Sequence, residues 1–399
     1  MIPMKQTLRL MVVMGAFVPL CIPPPASCQI ESGSWQSGEP VDAPWLDGFR
    51  SSAHHWLDLT DEDRVISPLP DQQRYPATRV ASIADNVLLY QKTNGGWPKN
   101  YDMRAVLTDE QIAAVKQSRD LISTTTFDNG ATHSQVHFLA FAYRQTGDTR
   151  YRDACLEGLD FMLTAQYANG GWPQSFPNRS GYRRYITFND GAMIGVMSVL
   201  RRIMLADPEF AFVDEARRVK VRKAYRRGLE CILRCQISEG GMLKAWCQQH
   251  DEKDYRPRGA RTFELPSLAS EESAQIVLFL MGIEQPDSSI VRSVAAAVRW
   301  FEQARLAGIR VETVGATPAR YRYHASIDDR VVVQDSSAPP IWARYYELGT
   351  GRPLFSNRDG KAVYSLDQVE RERRTGYGWY SYAPAEVLEY YRLWKASAG

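Results

Sequence analysis

At 399 residues the chain is long enough for one large core or two ordinary ones, and its 44% hydrophobic and 24% charged residues are those of a soluble globular protein. A net charge of +2 is too small to suggest a general nucleic-acid or membrane-surface role. Twenty tyrosines and ten tryptophans suit a glycan-binding cleft, though a large helical core also uses many aromatics.

The N-terminus reads as an export signal over residues 1–27. Lys5 and Arg9 supply the positive region, and Leu10 to Cys21 is a mostly apolar run too short to span a bilayer. Small residues follow at Ala26 and Ser27, so cleavage near residue 28 is expected. Ser27–Cys28 also admits a lipid anchor on Cys28, against which Pro25 stands where an aliphatic residue is usual. Either way the product is secreted or periplasmic, with no other membrane contact. Residues 28–47 are rich in Ser, Gly, Pro and Glu and read as a flexible lead-in. Residues 48–399 then form one domain.

From about residue 48 the pattern is helical. Apolar spacing predicts helices over 82–91, 132–147, 151–166, 191–206, 219–236, 270–283, 288–307, 340–348 and 383–395. Few runs alternate with period two. Between the helices two loops nearly repeat. Asn94–Gly95–Gly96–Trp97–Pro98–Lys99 is answered by Asn169–Gly170–Gly171–Trp172–Pro173–Gln174. Behind them Phe127–Asp128–Asn129–Gly130–Ala131 is answered by Phe188–Asn189–Asp190–Gly191–Ala192. Gly-Gly lets backbone approach a ligand, Trp offers a stacking face or a core wedge, and Asp supplies a metal ligand or an acid/base group. A third turn at Glu239–Gly240–Gly241–Met242 and a degenerate fourth at Gly376–Tyr377–Gly378–Trp379 give a period of roughly 70 residues, enough for a helix pair. Glu272–Ser273–Ala274 stands where the third Asp-bearing motif belongs. Stacked helix pairs predict an all-α fold, an irregular α/α toroid whose loops form a substrate groove. Cys155, Cys231, Cys235 and Cys247 show no metal spacing and read as buried apolar fillers.

Eight segments in order resemble polysaccharide lyase family 10, the pectate lyases. They are NGGWPKN from Asn94, TFDNGAT from Thr126, NGGWPQ from Asn169, ITFNDGAM from Ile186, WCQQHD from Trp246, ARTFELPS from Ala260, Asp329–Arg330, and WARYYEL from Trp342. The resemblance implies a toroid that cleaves α-1,4-linked polygalacturonate by calcium-assisted β-elimination. Nothing in the sequence speaks to oligomers, and a monomer is assumed.

Elimination removes the weakly acidic proton on C5, beside the uronate carboxylate, and expels the C4 oxygen. Cations neutralise the charge that develops, and a base must reach C5. Calcium takes hard oxygen ligands, for which Asp128 and Asp190 are the candidates, with the Asn129 amide oxygen adjacent. The plainer role for either aspartate is a helix N-cap. The resemblance makes Arg261 the base. That conflicts with the rule that guanidinium stays protonated, unless neighbouring cations favour the neutral form. The motif also departs from the family at Thr262–Phe263, where Ala-Tyr is the more frequent pair. Arg330 and Arg344 match the arginines that clamp uronate, a planar two-pronged contact Lys does not make. Lys99 is expected to meet another uronate, and His250 and Asp251 to line the cleft. Two other readings remain: an inverting glycoside hydrolase using Asp128 and Asp190 as acid and base, and a protein that binds uronate without cleaving it.

Overall fold

The computed structural model describes residues 47–397. The signal peptide, Cys28 and all but the last residue of the lead-in lie outside the described residues.

Eleven helices occur among the described residues: α1 (Asp47–Trp56), α2 (Val80–Tyr90), α3 (Asp109–Gln117), α4 (His133–Thr146), α5 (Thr149–Ala165), α6 (Ala192–Met204), α7 (Glu215–Cys235), α8 (Ser270–Met281), α9 (Ser288–Ala304), α10 (Arg371–Thr375) and α11 (Ala383–Ser397). Helices α2, α5, α7 and α9 pack side by side in one row, and α4, α6, α8 and α11 form a second row against it. Local sequence fixes the ends. Asp148, Asp214 and Asp287 cap the first turns of α5, α7 and α9 by accepting backbone N–H bonds. Gly147 stops α4 in the left-handed region.

The repeated turns tie each helix of the first row to the next by the same device each time. Gln91, at the end of α2, donates from Nε2 to the carbonyls of Gly95 in its own turn and Ala154 in α5. Gln166 does likewise to Gly170 and Ala224, and Gln236 to Lys244 and Ser293. Trp97 and Trp172 are wholly buried, and their indole N–H groups donate to the carbonyls of Val87 and Met162 in the preceding helices. Both are core wedges and offer no face to a sugar. Trp246 and Trp342 repeat the bond to Ile232 and Phe301. The fourth copy is therefore centred on Trp342 and not on Gly376–Trp379. The third Gly-Gly turn is an exposed hairpin tip between Ser238–Glu239 and Met242–Leu243, with its tryptophan further along.

The expectation of an all-α toroid is overturned. The structure is mixed α/β, 46% helix and 16% strand, with five small sheets among the described residues. Residues 340–348, expected to be helical, form the strands Trp342–Ala343 and Tyr345–Glu347. A long antiparallel hairpin pairs Ile309–Arg320 with Ala325–Gln334. Three short strands, Ile186–Thr187, Gln249–His250 and Pro257–Arg258, form another antiparallel sheet. The two tiny sheets around Arg344 matter most. Tyr345–Glu347 pairs with Ser267–Ala269, and Trp342–Ala343 with Tyr380–Ser381, so Arg344 is fixed between the start of α8 and the 376–379 loop. Strands this short bury little by themselves, and the helical core holds them in place.

Candidate active site

Two matched one-turn 3-10 segments, Asp128–Gly130 and Asn189–Gly191, pack against each other. In each, the second and third residues have positive φ: Asn129 and Gly130 in one, Asp190 and Gly191 in the other. Asn129 and Asp190, both at φ 51°, pay on the order of 1 kcal/mol each for that conformation, and such strain gathers at functional sites. At Gly130 a side chain is also shut out, because a Cβ would sit 2.3 Å from the Gly48 carbonyl oxygen of α1. The aligned turns offer carboxylate-amide at Asp128–Asn129 and amide-carboxylate at Asn189–Asp190. Neither aspartate is a helix cap: α4 and α6 begin after Thr132 and Gly191, which make no side-chain cap bond.

Asp128 is buried and accepts from Lys99 Nζ at 2.5 Å. Its Oδ1 is buried without a hydrogen-bond partner, although Gln174 and Asp190 are near enough to bear on its charge. Burial favours the neutral acid, yet Lys99 overrides it and holds the carboxyl well below its ordinary range. Asp190 is exposed to water, with Asp128 beside it and protein atoms close enough to hinder its charging. That crowding and the Asp128 charge push its carboxyl up to about 7. Two carboxylates that repel at close range, one with an orphaned oxygen, fit a hard divalent cation whose remaining ligands come from elsewhere. Among the described residues no group of three or more His, Cys, Asp or Glu side chains makes a complete metal site.

The arginines gather around Tyr377. Arg261 stands 5.5 Å and Arg344 4.8 Å from its ring centroid, and Arg330 donates from Nη1 to its carbonyl oxygen at 3.0 Å. Arg330 comes from the long hairpin, where it pairs with Thr313. Arg344 donates from Nη2 to Glu272 at 2.6 Å and Asn189 at 3.2 Å, and its Nε is buried without a hydrogen-bond partner. Arg261 is half-exposed and clamped by Glu264, Nε to Oε2 at 2.9 Å and Nη2 to Oε1 at 2.6 Å. Burial works against both charges, but Glu264 and Glu272 more than offset it, so both guanidinium groups are held protonated. Arg261 and Arg344 both act on Asp190, which places them at the same cleft.

Asp128, Asp190, Lys99, Arg261, Arg330 and Arg344 are thus brought together. Asn129 is close by, buried, with its amide donated to Asn100. His250 and Asp251 are not presented to a ligand. His250 is fully buried; Nδ1 bonds the Tyr255 carbonyl, Nε2 accepts from the Cys247 N–H, and burial lowers its pKa to about 4. Asp251 accepts from two backbone N–H groups and from Arg258, and so shapes a turn. Reading the sequence missed Glu264, Glu272, Asn189 and Tyr377. Glu272 had a signal in its place within the repeat, and Tyr377 in its Gly-flanked loop.

Among families, the pectic acid lyase model matches residues 91–388. The chain belongs to the pectic acid lyase family. The solved family 10 polysaccharide lyase from Cellvibrio cellulosa is 32% identical, with 80% of this chain and 93% of that one covered and a TM-score of 0.68. A mutant of the same lyase in complex with trigalaturonic acid is 33% identical, covering 79% of this chain and 93% of its own, again at 0.68. No curated protein matches the chain. The protein is therefore an enzyme, a pectate lyase, and the hydrolase and binding-protein readings are set aside.

Proposed function

We propose that this lyase cleaves polygalacturonate by β-elimination at the cleft between the two 3-10 turns. The observation that carries this is the pairing of one cation-seeking carboxylate pair with three guanidinium groups around a single tyrosine. The ligand in the complex of the Cellvibrio lyase supports an oligogalacturonate substrate. Asp128 and Asp190 would hold a calcium ion, which when bound supplies charge neutralisation for the uronate carboxylate. Arg344 and Arg330 orient that carboxylate, and Lys99 keeps Asp128 ionised. Arg261 acts at C5. In the free enzyme Glu264 holds a proton on it, so a basic role at C5 requires that grip to loosen as substrate enters, and alkaline pH to help. A location outside the cytoplasm is the reading that the export-like stretch over residues 1–27 supports. The test is formation of an unsaturated, ultraviolet-absorbing product from polygalacturonate with and without chelator. Reducing ends without that absorbance would refute the reading.

A further inference from the structure

The segment Gly181–Arg184 is a 3-10 turn just before the strand Ile186–Thr187. Its Tyr182 interacts electrostatically with Lys99, Asp128 and Arg261, so the segment begins at the active site. A chain of ion pairs says the same: Arg183 Nη2 lies 3.6 Å from Asp63, Asp63 3.3 Å from Lys99, and Lys99 2.5 Å from Asp128. Next along, the Arg184 guanidinium lies 4.9 Å and that of Arg258 5.9 Å from the Tyr185 ring centroid. Arg258 ends the strand Pro257–Arg258, three residues before Arg261, and Asp251 fixes it by bonds to Nε at 3.0 Å and Nη2 at 2.9 Å.

We propose that Arg183, together with Arg184 and Arg258 arrayed on Tyr185, forms an outer subsite for a uronate ring of the polymer beyond the ring being cleaved. This rests on the pectate reading above and extends it along the chain. Polygalacturonate carries a carboxylate on every ring, so a polymer lying in the cleft presents further carboxylates as it leaves. Planar guanidinium forks suit those groups. Two of the three are only loosely paired. Arg183 to Asp63 at 3.6 Å and Arg184 to Glu252 at 3.5 Å exceed hydrogen-bond length. Both side chains are more than a third exposed, where such pairs contribute little and exchange readily for a ligand's carboxylate. The stacking against Tyr185 holds the Arg184 and Arg258 forks in place before the polymer arrives.

The experiment compares wild type with Arg183→Gln/Arg184→Gln on polygalacturonate and on the shortest oligogalacturonate the wild type cleaves. The subsite predicts a rise in KM of about tenfold on the polymer, the effect of losing a charged hydrogen bond, and under about twofold on the short substrate. Arg184→Lys should recover little of the loss. Equal losses on both substrates, or an unchanged KM on the polymer, overturn it. Retardation of the protein in a polygalacturonate gel reads the same subsite without turnover. Retardation lost in the double variant supports the subsite even if the elimination chemistry is wrong, and retardation equal to wild type overturns it.

Discussion

Glu264 grips the Arg261 guanidinium through two hydrogen bonds, at 2.9 and 2.6 Å, and accepts another from the Tyr377 hydroxyl at 2.8 Å. The residue expected to act at C5 is thus held protonated, with a buried carboxylate as the reason. If Arg261 must give up its proton, Glu264→Gln lowers its pKa, and the acid limb of the pH–rate profile moves to lower pH. The same change costs stability. The Glu264 pKa is lowered in the fold because Arg261 outweighs the cost of burial. Its contribution is therefore present above the ordinary carboxylate range and lost as pH falls through the folded value. Rate profiles and melting curves of the variant check both signs.

Asp190 has the opposite sign. Its folded pKa of about 7 lies above that of a free aspartate, so between the two the native state holds a proton the unfolded chain does not. Stability then falls as pH rises through that window. Asp190→Asn should melt no lower than wild type at pH 8 without calcium, with the gap narrowing toward pH 5, while turnover is lost. Because water reaches Asp190, the gap should be small.

Tyr377→Phe keeps the ring against Arg261 and Arg344 but removes the hydroxyl that bonds Glu264 and Tyr345. Turnover should drop about tenfold, the effect of one charged hydrogen bond, with the fold intact by circular dichroism. Arg344→Lys should drop it further, since a Lys cannot reach both Glu272 and Asn189 while facing a carboxylate.

Trp172→Ala should cost about 3–5 kcal/mol in urea unfolding, because the indole is wholly buried and its N–H bonds Met162. Trp172→Phe should leave KM for polygalacturonate unchanged. A raised KM in a folded Trp172→Phe protein would mean that the indole does meet the sugar.

The long helices were legible because their apolar spacing is regular and Asp, Gln and Gly mark their ends, whereas the short α3 and α10 were not. The paired turns were legible because they repeat. What escaped were elements whose order comes from packing. Trp342–Glu347 mixes the helix formers Ala, Arg and Glu with aromatics that favour strands, and pairing with Ser267–Ala269 and Tyr380–Ser381 decides between them. The alternation in Ile309–Arg-Val-Glu was present but short, and its partner strand lies across a loop. Glu264 and Glu272 escaped because a carboxylate that positions an arginine shows in sequence only as a charge. His250 was misplaced because a histidine's partners do not show in sequence: both its nitrogens serve the backbone.

The most direct test follows ultraviolet absorbance of polygalacturonate at alkaline pH with wild type and Arg261→Ala, in EDTA and after calcium is restored. The arrangement of Asp128, Asp190 and Arg261 predicts unsaturated product only with wild type and calcium, while Arg261→Ala still binds the polymer. Absorbance that grows in EDTA, or persists in Arg261→Ala, would contradict it.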